Sequence, residues 1–417
     1  MALEARAVRP SWIIRLVIVT LLVGVGSGLS GLLVSLSLHG IEHLAYGYTS
    51  GTFLDGVLAA PAWKRVVALG IAGVVGAIGW WMLRRWGRPV VSVEQTVAGT
   101  RMPGLVTLIN SALQVVIVGL GASIGREVAP RELGALVAGW VTDHAGLTAR
   151  ERRILVACGA GAGLAAVYNV PLGGALFTVE ILLAELSFAT ALPAIATSAV
   201  TTIVARVAVP TTPLYSLPSL TLSPSVFVWA VIAGPVLGFA ALGFVRGVRF
   251  ALEHRPRGKW ILLAMPVVFL IVGAISIFLP PILGNGRALG QVAFDGATPL
   301  LIIAALLVAK TLATTGTIYA GAAGGTLTPS LAIGATIGVL LGGLWSMAWP
   351  GSPIAAFAFI AAAAFLASTT KAPFTALVLV VEFTGQGPAL LVPAMLAIGG
   401  AVAVTYLWGR GRLAGAA

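Results

Sequence analysis

The run Gly125-Arg126-Glu127-Val128-Ala129-Pro130 sets a charged pair inside otherwise apolar sequence. Glycine precedes the pair, proline closes the run, and the helical-looking stretch Arg131 to Trp140 follows. This punctuation predicts that the backbone amides around Glu127 form a helix N-terminus, an end that attracts anions. A second run, Gly324-Gly325-Thr326-Leu327-Thr328-Pro329, repeats the Gly-to-Pro spacing and also opens an apolar, Gly-rich segment. The chain is organised around these two runs.

The surrounding sequence sets the class. Of 417 residues 59% are hydrophobic and 9% charged, and the mean hydropathy is +1.03. That is far too apolar for a soluble globular protein and predicts an all-α integral membrane protein. Apolar segments run from Trp12 to Leu38 at one end to Ala389 to Leu407 at the other. Several, including Leu172 to Leu186, fall short of the ~20 residues a spanning helix needs. Short helices interrupted by Gly or Pro at membrane depth occur where they are buried in protein or line a wet cavity, as in transporters and channels.

The net charge of +12 would suggest nucleic acid in a soluble protein. Here the basic residues sit at segment ends: Arg6, Arg9 and Arg15; Arg84, Arg85 and Arg88; Arg150, Arg152 and Arg153; Arg255, Arg257 and Lys259; Arg410 and Arg412. They read as cytoplasmic flanks, and no nucleic-acid partner is expected. The first apolar run is longer than a signal-peptide core and reads as a retained helix. Gly24 and Gly28 favour close helix packing. His39, Glu42, His43, Tyr46 and Tyr48 read as an interfacial loop rather than a metal site, since no other ligand type is near in sequence. Cys158, the single cysteine, reads as a small core residue without a disulfide or metal role.

Two stretches match across the chain. Gly163 to Glu180 reads GLAAVYNVPLGGALFTVE and Phe365 to Glu382 reads FLASTTKAPFTALVLVVE. Pro171 and Glu180 superpose on Pro373 and Glu382 without a gap, at nearly the offset that relates the two Gly-to-Pro runs. Such agreement indicates an internal duplication, with halves at about 12–209 and 226–408 of one transmembrane domain covering 1–417. One sequence does not say whether the halves are inverted. If they are, the two positive helix ends converge on one point near the membrane midplane, where an anion can rest. Glu127 is itself an anion and competes for those amides. Burial, the amides and a neighbouring anion then decide its protonation, which makes it a proton-sensitive gate. The alternative is a loop salt bridge of Glu127 with Arg126 or Arg131.

At this point the residues match a family. Gly125-Arg126-Glu127 resembles the Gly-Arg-Glu-Gly-Pro signature of the CLC chloride channels and chloride/proton antiporters. The second run is similar to that family's Gly-x-Phe-x-Pro helix start, and Lys310 to Thr317 to the segment leading into it. Gly163 to Glu180 resembles the family's Asn-Pro-containing helix, and Ala372-Pro373 to Glu382 its repeat partner. The resemblance covers most of the chain, about Trp12 to Leu407. It implies a CLC-type inverted-repeat bundle of tilted and broken transmembrane helices, assembled as a homodimer with one anion pathway per subunit, in the inner membrane of a prokaryote. It implies a bound inorganic anion, chloride first, and no other cofactor. Glu127 falls on the gating glutamate. Gly125, Arg126, Val128 and Ala129 on one side, and Gly325, Thr326 and Leu327 on the other, fall on the anion-binding helix starts, with Leu327 where phenylalanine is usual.

Three departures qualify the resemblance. The family's Gly-Ser-Gly-Ile-Pro loop has no clear copy; by spacing Arg88 replaces the serine, with Ser92 nearby. The anion-contacting tyrosine near the C-terminus falls on Ala414, and Tyr406 is the tyrosine of the last segment. The coupled antiporters carry an inner glutamate directly after the position of Glu180, where this chain has Ile181; Glu180 or Glu185 are the candidate substitutes for a proton pathway. The expectation is therefore a channel or uncoupled pathway, with proton-coupled antiport and a non-conducting anion-binding scaffold or sensor as alternatives. No long hydrophilic tail follows Leu407, so a cytoplasmic regulatory domain is not expected. An enzyme gains nothing from the sequence: no His-Glu-x-x-His motif or Ser-His-Asp cluster is found among residues that include only His39, His43, His144 and His254 as histidines.

Overall fold

The computed structural model describes residues 10–218, 220 and 222–410. Arg6, Arg9, Arg412 and Ala414 lie outside the described residues, as does the side chain of Arg410. The helices run in the order α1 Pro10–Tyr46, α2 Phe53–Ala59, α3 Ala62–Trp86, α4 Val93–Val97, α5 Gly104–Gly119 and α6 Val128–His144. They continue with α7 Ala149–Tyr168, α8 Pro171–Leu176, α9 Phe188–Ala205, α10 Ser225–Glu253, α11 Ile261–Phe278 and α12 Arg287–Asp295. The last are α13 Leu300–Tyr319, α14 Leu327–Ala348, α15 Ile354–Thr370, α16 Pro373–Thr384 and α17 Leu391–Arg410. Among the described residues, eight helices are long and apolar enough to cross a membrane, and α5, α8, α15 and α16 belong to a shorter apolar set. The chain is a multi-pass membrane protein.

The helices form two compact units. The first holds the described residues up to Ser35, Val90–Leu108 and Pro130–Thr211. Lipid supplies little hydrophobic drive between helices, so close backbone approach at small residues holds such a unit. A Cβ added at Gly24 would lie 2.9 Å from Val200 Cβ, and one at Gly28 2.7 Å from Val204 Cβ. The Thr201 hydroxyl donates to the Gly24 carbonyl at 2.6 Å. The expected role of the Gly24/Gly28 pair is thus met by α9. Cys158 is buried in α7.

The second unit holds Leu36–Pro89, Ile109–Ala129 and the described residues from Thr212 onward. Its centre is α15, buried on every side from Ala355 to Ser368, as an all-round apolar helix must be. Gly334, Gly338 and Gly342 of α14 lie flat against α15 at Phe365, Ala361 and Phe357.

The duplication is visible residue by residue. Helices α5 and α13 each end in a left-handed glycine, Gly121 at φ +101 and Gly321 at φ +99. Helices α7 and α15 each end in a left-handed non-glycine, Asn169 at φ 55 and Lys371 at φ 57, two residues before the matched prolines. The repeats are inverted. A Cβ built at Gly121 would meet the Tyr46 hydroxyl and lie 3.0 Å from Leu69 on α3, whereas the Gly321 carbonyl accepts from Arg84 at the far end of α3, at 2.7 Å. Leu69 and Arg84 are separated by about 22 Å of helix at ~1.5 Å per residue. The two turns therefore sit at different depths, and the loops after them run back towards each other.

Three expectations need correction. His39, Glu42, His43 and Tyr46 belong to α1, not to a loop. Their spacing is that of one helical stripe, and Glu42 and Tyr46, one turn apart, are buried. The expected segment Leu172 to Leu186 is shorter: α8 passes into a π-helical turn, Phe177–Leu182, and the chain breaks at Ala184 with φ +50. Helices α2 and α12 had no counterpart in the apolar pattern. The start of α2 was nevertheless written in a capping box, with Thr52 and Asp55 bonding each other's backbone amides.

Candidate functional site

The loop after Gly121 and the loop after Gly321 meet at a single rung. Gly125 N–H donates to the Gly325 carbonyl at 2.7 Å, and Gly325 N–H returns the bond to Gly125 at 3.0 Å. This antiparallel exchange is the local two-fold of the duplication. Beyond it α6 begins at Val128 and α14 at Leu327, so two helix N-termini start beside this rung.

Glu127 occupies that point. Its Oε1 accepts from the Leu327 amide at 2.7 Å and its Oε2 from the Thr328 hydroxyl at 3.0 Å. The carboxylate is 1% exposed. It lies against Gly125 and Gly325, where any side-chain carbon would overlap it. Thr326 is the N-cap of α14, yet its own side chain makes no capping bond. Glu127 caps the helix instead, from a residue two hundred positions away. Charge-assisted bonds of this kind contribute about 1.5–3 kcal/mol each, and the helix end adds to them. Glu127 pairs with neither Arg126 nor Arg131. Arg131 bonds Glu94 at 3.2 Å and lies over the Phe177 ring at 4.5 Å.

The structure thus brings together Glu127, Gly125, Gly325, Thr326 and Leu327. Arg126 and Ala129 are buried and Val128 is half-buried beside them in sequence, but the carboxylate takes its bonds from the α14 side alone. Ser92 is engaged in its own turn: its Oγ caps α4 by accepting from Gln95 N–H at 3.2 Å. Tyr406 is 53% exposed on α17, unlike the enclosed Glu127. Glu180 is half-buried in the π-helical turn. Glu185 follows that turn and pairs with Arg150 at 3.2 Å while accepting from Ser187 Oγ at 3.3 Å.

Two residues join the site without having been assigned to it. Thr328 supplies the second donor to Glu127, and its place in the first turn of a helix was the readable signal. Lys310 is fully buried on α13 and donates to the carbonyls of Ile282 at 2.8 Å and Gly284 at 2.7 Å. It fastens the loop whose Gly286 packs 3.1 Å from the Thr328 carbonyl, measured from a Cβ built there. A second brace lies nearby in sequence, where Ser123 Oγ meets Thr314 Oγ1 at 3.1 Å. Lys310→Met is expected to lower the unfolding temperature of the purified protein in detergent, because two buried carbonyls lose their donor at about 1–3 kcal/mol each. An unchanged unfolding temperature would show that the loop is held by other means.

Comparison with known proteins gives the family. The family model described as voltage gated chloride channel matches residues 75–406. The chain belongs to the CLC family of voltage-gated chloride channels. The voltage-gated ClC-type chloride channel ClcB of Escherichia coli (strain SMS-3-5 / SECEC) is 31% identical over 381 residues, 86% of this chain and 88% of that protein. Among solved structures, a slow cyanobacterial Cl⁻/H⁺ antiporter superposes with a TM-score of 0.83 at 20% identity, covering 97% of this chain and 96% of its own. A CLC-type fluoride/proton antiporter superposes at 0.73 with 19% identity, covering 96% and 98%. These two likenesses establish the CLC fold, an inverted-repeat bundle of transmembrane and broken helices.

Proposed function

We propose that this CLC protein carries chloride across a membrane along a pathway that Glu127 closes when ionised and opens when protonated. The observation that carries the reading is the carboxylate held by Leu327 N–H and Thr328 Oγ1 at the start of α14. A site that holds a carboxylate on an amide and a hydroxyl holds a halide by the same donors, and the two compete. The names of its relatives supply chloride as the first ion to test.

The pathway is uncoupled from protons in this reading. Ile181 stands where the coupled relatives place their inner acid, and Glu185 is tied to Arg150. One observation favours proton-coupled exchange instead: Glu180 sits half-buried in a π-helical turn, a feature often found at functional sites. A homodimer in a prokaryotic inner membrane, one pathway per subunit, is part of the proposal.

Chloride efflux from vesicles containing the purified protein, read together with internal pH, tests all of this. The expected result is efflux that rises as pH falls and a chloride gradient that moves no protons uphill. Uphill proton movement would establish exchange through Glu180 or another acid. Vesicles that pass neither chloride, bromide, nitrate nor fluoride would leave an anion-binding scaffold.

A further inference from the structure

Three spanning helices of the second unit end together on a basic hollow. Arg84 and Arg85 at the end of α3, Glu253 at the end of α10, and Arg255 and Arg257 in the turn before α11 line a cavity of about 430 Å³. Four guanidinium groups there face one carboxylate, a surplus of three positive charges. Among the described residues, Arg85, Arg255, Arg257 and Glu253 make no side-chain hydrogen bond or ion pair. Arg84 donates to the Gly321 carbonyl at 2.7 Å, a neutral acceptor that leaves its charge uncompensated. Like charges in one hollow repel, and a polyvalent anion bound among them removes that repulsion. The charge rule for short loops puts this end of the helices on the cytoplasmic side.

The same turn borders an apolar groove. Pro256 forms a wall of both spaces, and beyond it His254, Trp260, Leu263, Val267 and Tyr319 line a second hollow, of about 530 Å³. Leu263 and Val267 are exposed one turn apart on α11, so the groove follows that helix into the hydrocarbon. From Trp260 to Val268 it descends about 12 Å at ~1.5 Å per residue, close to half of a ~30 Å bilayer core. Trp86 at the end of α3 and Trp260 just before α11 are exposed, as tryptophans at headgroup depth are. A soluble anion would use the basic hollow and ignore the groove. A phospholipid uses both, and three surplus charges suit two phosphates better than one.

We infer that the turn between α10 and α11 binds an anionic phospholipid of the cytoplasmic leaflet, with a diphosphatidyl lipid preferred. Its phosphates sit among Arg84, Arg85, Arg255 and Arg257, and one acyl chain lies in the groove beyond Pro256. Basic pockets between transmembrane helices on this side of a membrane suit such headgroups. The site is separate from the Glu127 gate and stands whether or not the protein transports chloride.

Titrating the delipidated full-length protein in detergent with diphosphatidylglycerol, read by native mass spectrometry and by unfolding temperature, tests it. The parent is expected to bind the lipid and to unfold at a higher temperature in its presence. The double variant Arg255→Gln, Arg257→Gln should bind it about 25-fold more weakly, since each arginine near an anionic headgroup contributes about fivefold. Both side chains are exposed and unpaired, so the lipid-free unfolding temperature should not change. Ala264→Trp fills the groove and leaves the arginines in place; it should weaken the lipid and leave inorganic pyrophosphate, the headgroup chemistry without a chain, unaffected. Equal lipid binding by the parent and the double variant would overturn the inference. So would pyrophosphate binding as tightly as the lipid, which would leave a soluble-anion site, or phosphatidylcholine binding as tightly, which would leave a groove indifferent to charge. Lipid binding unchanged in Ala264→Trp would remove the acyl chain from the groove and overturn the site as described.

Discussion

Glu127→Gln is expected to free chloride flux from pH and to raise it about 30-fold at neutral pH. In the parent the carboxylate accepts two bonds at the start of α14, from Leu327 N–H and Thr328 Oγ1. Each is charge-assisted and stronger than a neutral bond, by about 1 kcal/mol at the centre of the usual ranges. Glutamine keeps the shape and an accepting oxygen but loses the charge, and its amide nitrogen brings hydrogens towards the Thr328 hydroxyl or the Leu327 amide. The hold on the side chain then weakens by about 2 kcal/mol, which is the quoted factor of ~30 in the ratio of open to closed gates. The sign of the pH effect follows from the same bonds. Protonating Glu127 removes the charge as the mutation does, so parent flux rises as pH falls and the mutant is flat. Parent-like pH dependence in Glu127→Gln would remove Glu127 from the gate.

The features legible in the sequence were those written in local chemistry. Glycine and proline mark both helix starts, and Glu127 stood out as an ion in apolar surroundings. The duplication was readable to the residue, since aligned Asn169 and Lys371 both close their helices in the left-handed region. Lysine has no side-chain reason to prefer that conformation, so its backbone follows the repeat rather than its own propensity. The end of α1 was misread because His39, Glu42 and His43 interrupt an apolar run, although their spacing keeps them on one helix. The π-helical turn at Phe177–Leu182 is a change of hydrogen-bond register that side-chain pattern does not encode. The bond from Thr328 to Glu127 was invisible for a different reason: the helix start that carries Thr328 could be read, but the two residues come together only when segments far apart in the chain pack, and no spacing along one segment reports that.

Gly325→Ala separates the gate from the pathway. Gly325 is not in the left-handed region, so alanine meets no backbone strain there; the three atoms nearest the added methyl all belong to Glu127, whose Cδ would lie 2.5 Å from it. A glutamate side chain can swing aside, and the rung between Gly125 and Gly325 uses backbone atoms alone. The methyl group therefore evicts the carboxylate without dismantling the loops, and pH dependence is expected to vanish as in Glu127→Gln. The flux should differ between the two. If the place that the carboxylate occupies is also where the permeating anion rests, the methyl group fills it, and crowding of about 1–3 kcal/mol lowers flux by about 5- to 150-fold relative to Glu127→Gln. The same drop is expected when Gly325→Ala is added to Glu127→Gln, because the obstacle is then the methyl and no longer the gate. Equal flux in the single Glu127→Gln and the double mutant would mean that anions pass beside this point, leaving the amide of Leu327 as a latch for Glu127 and not a stop on the chloride route.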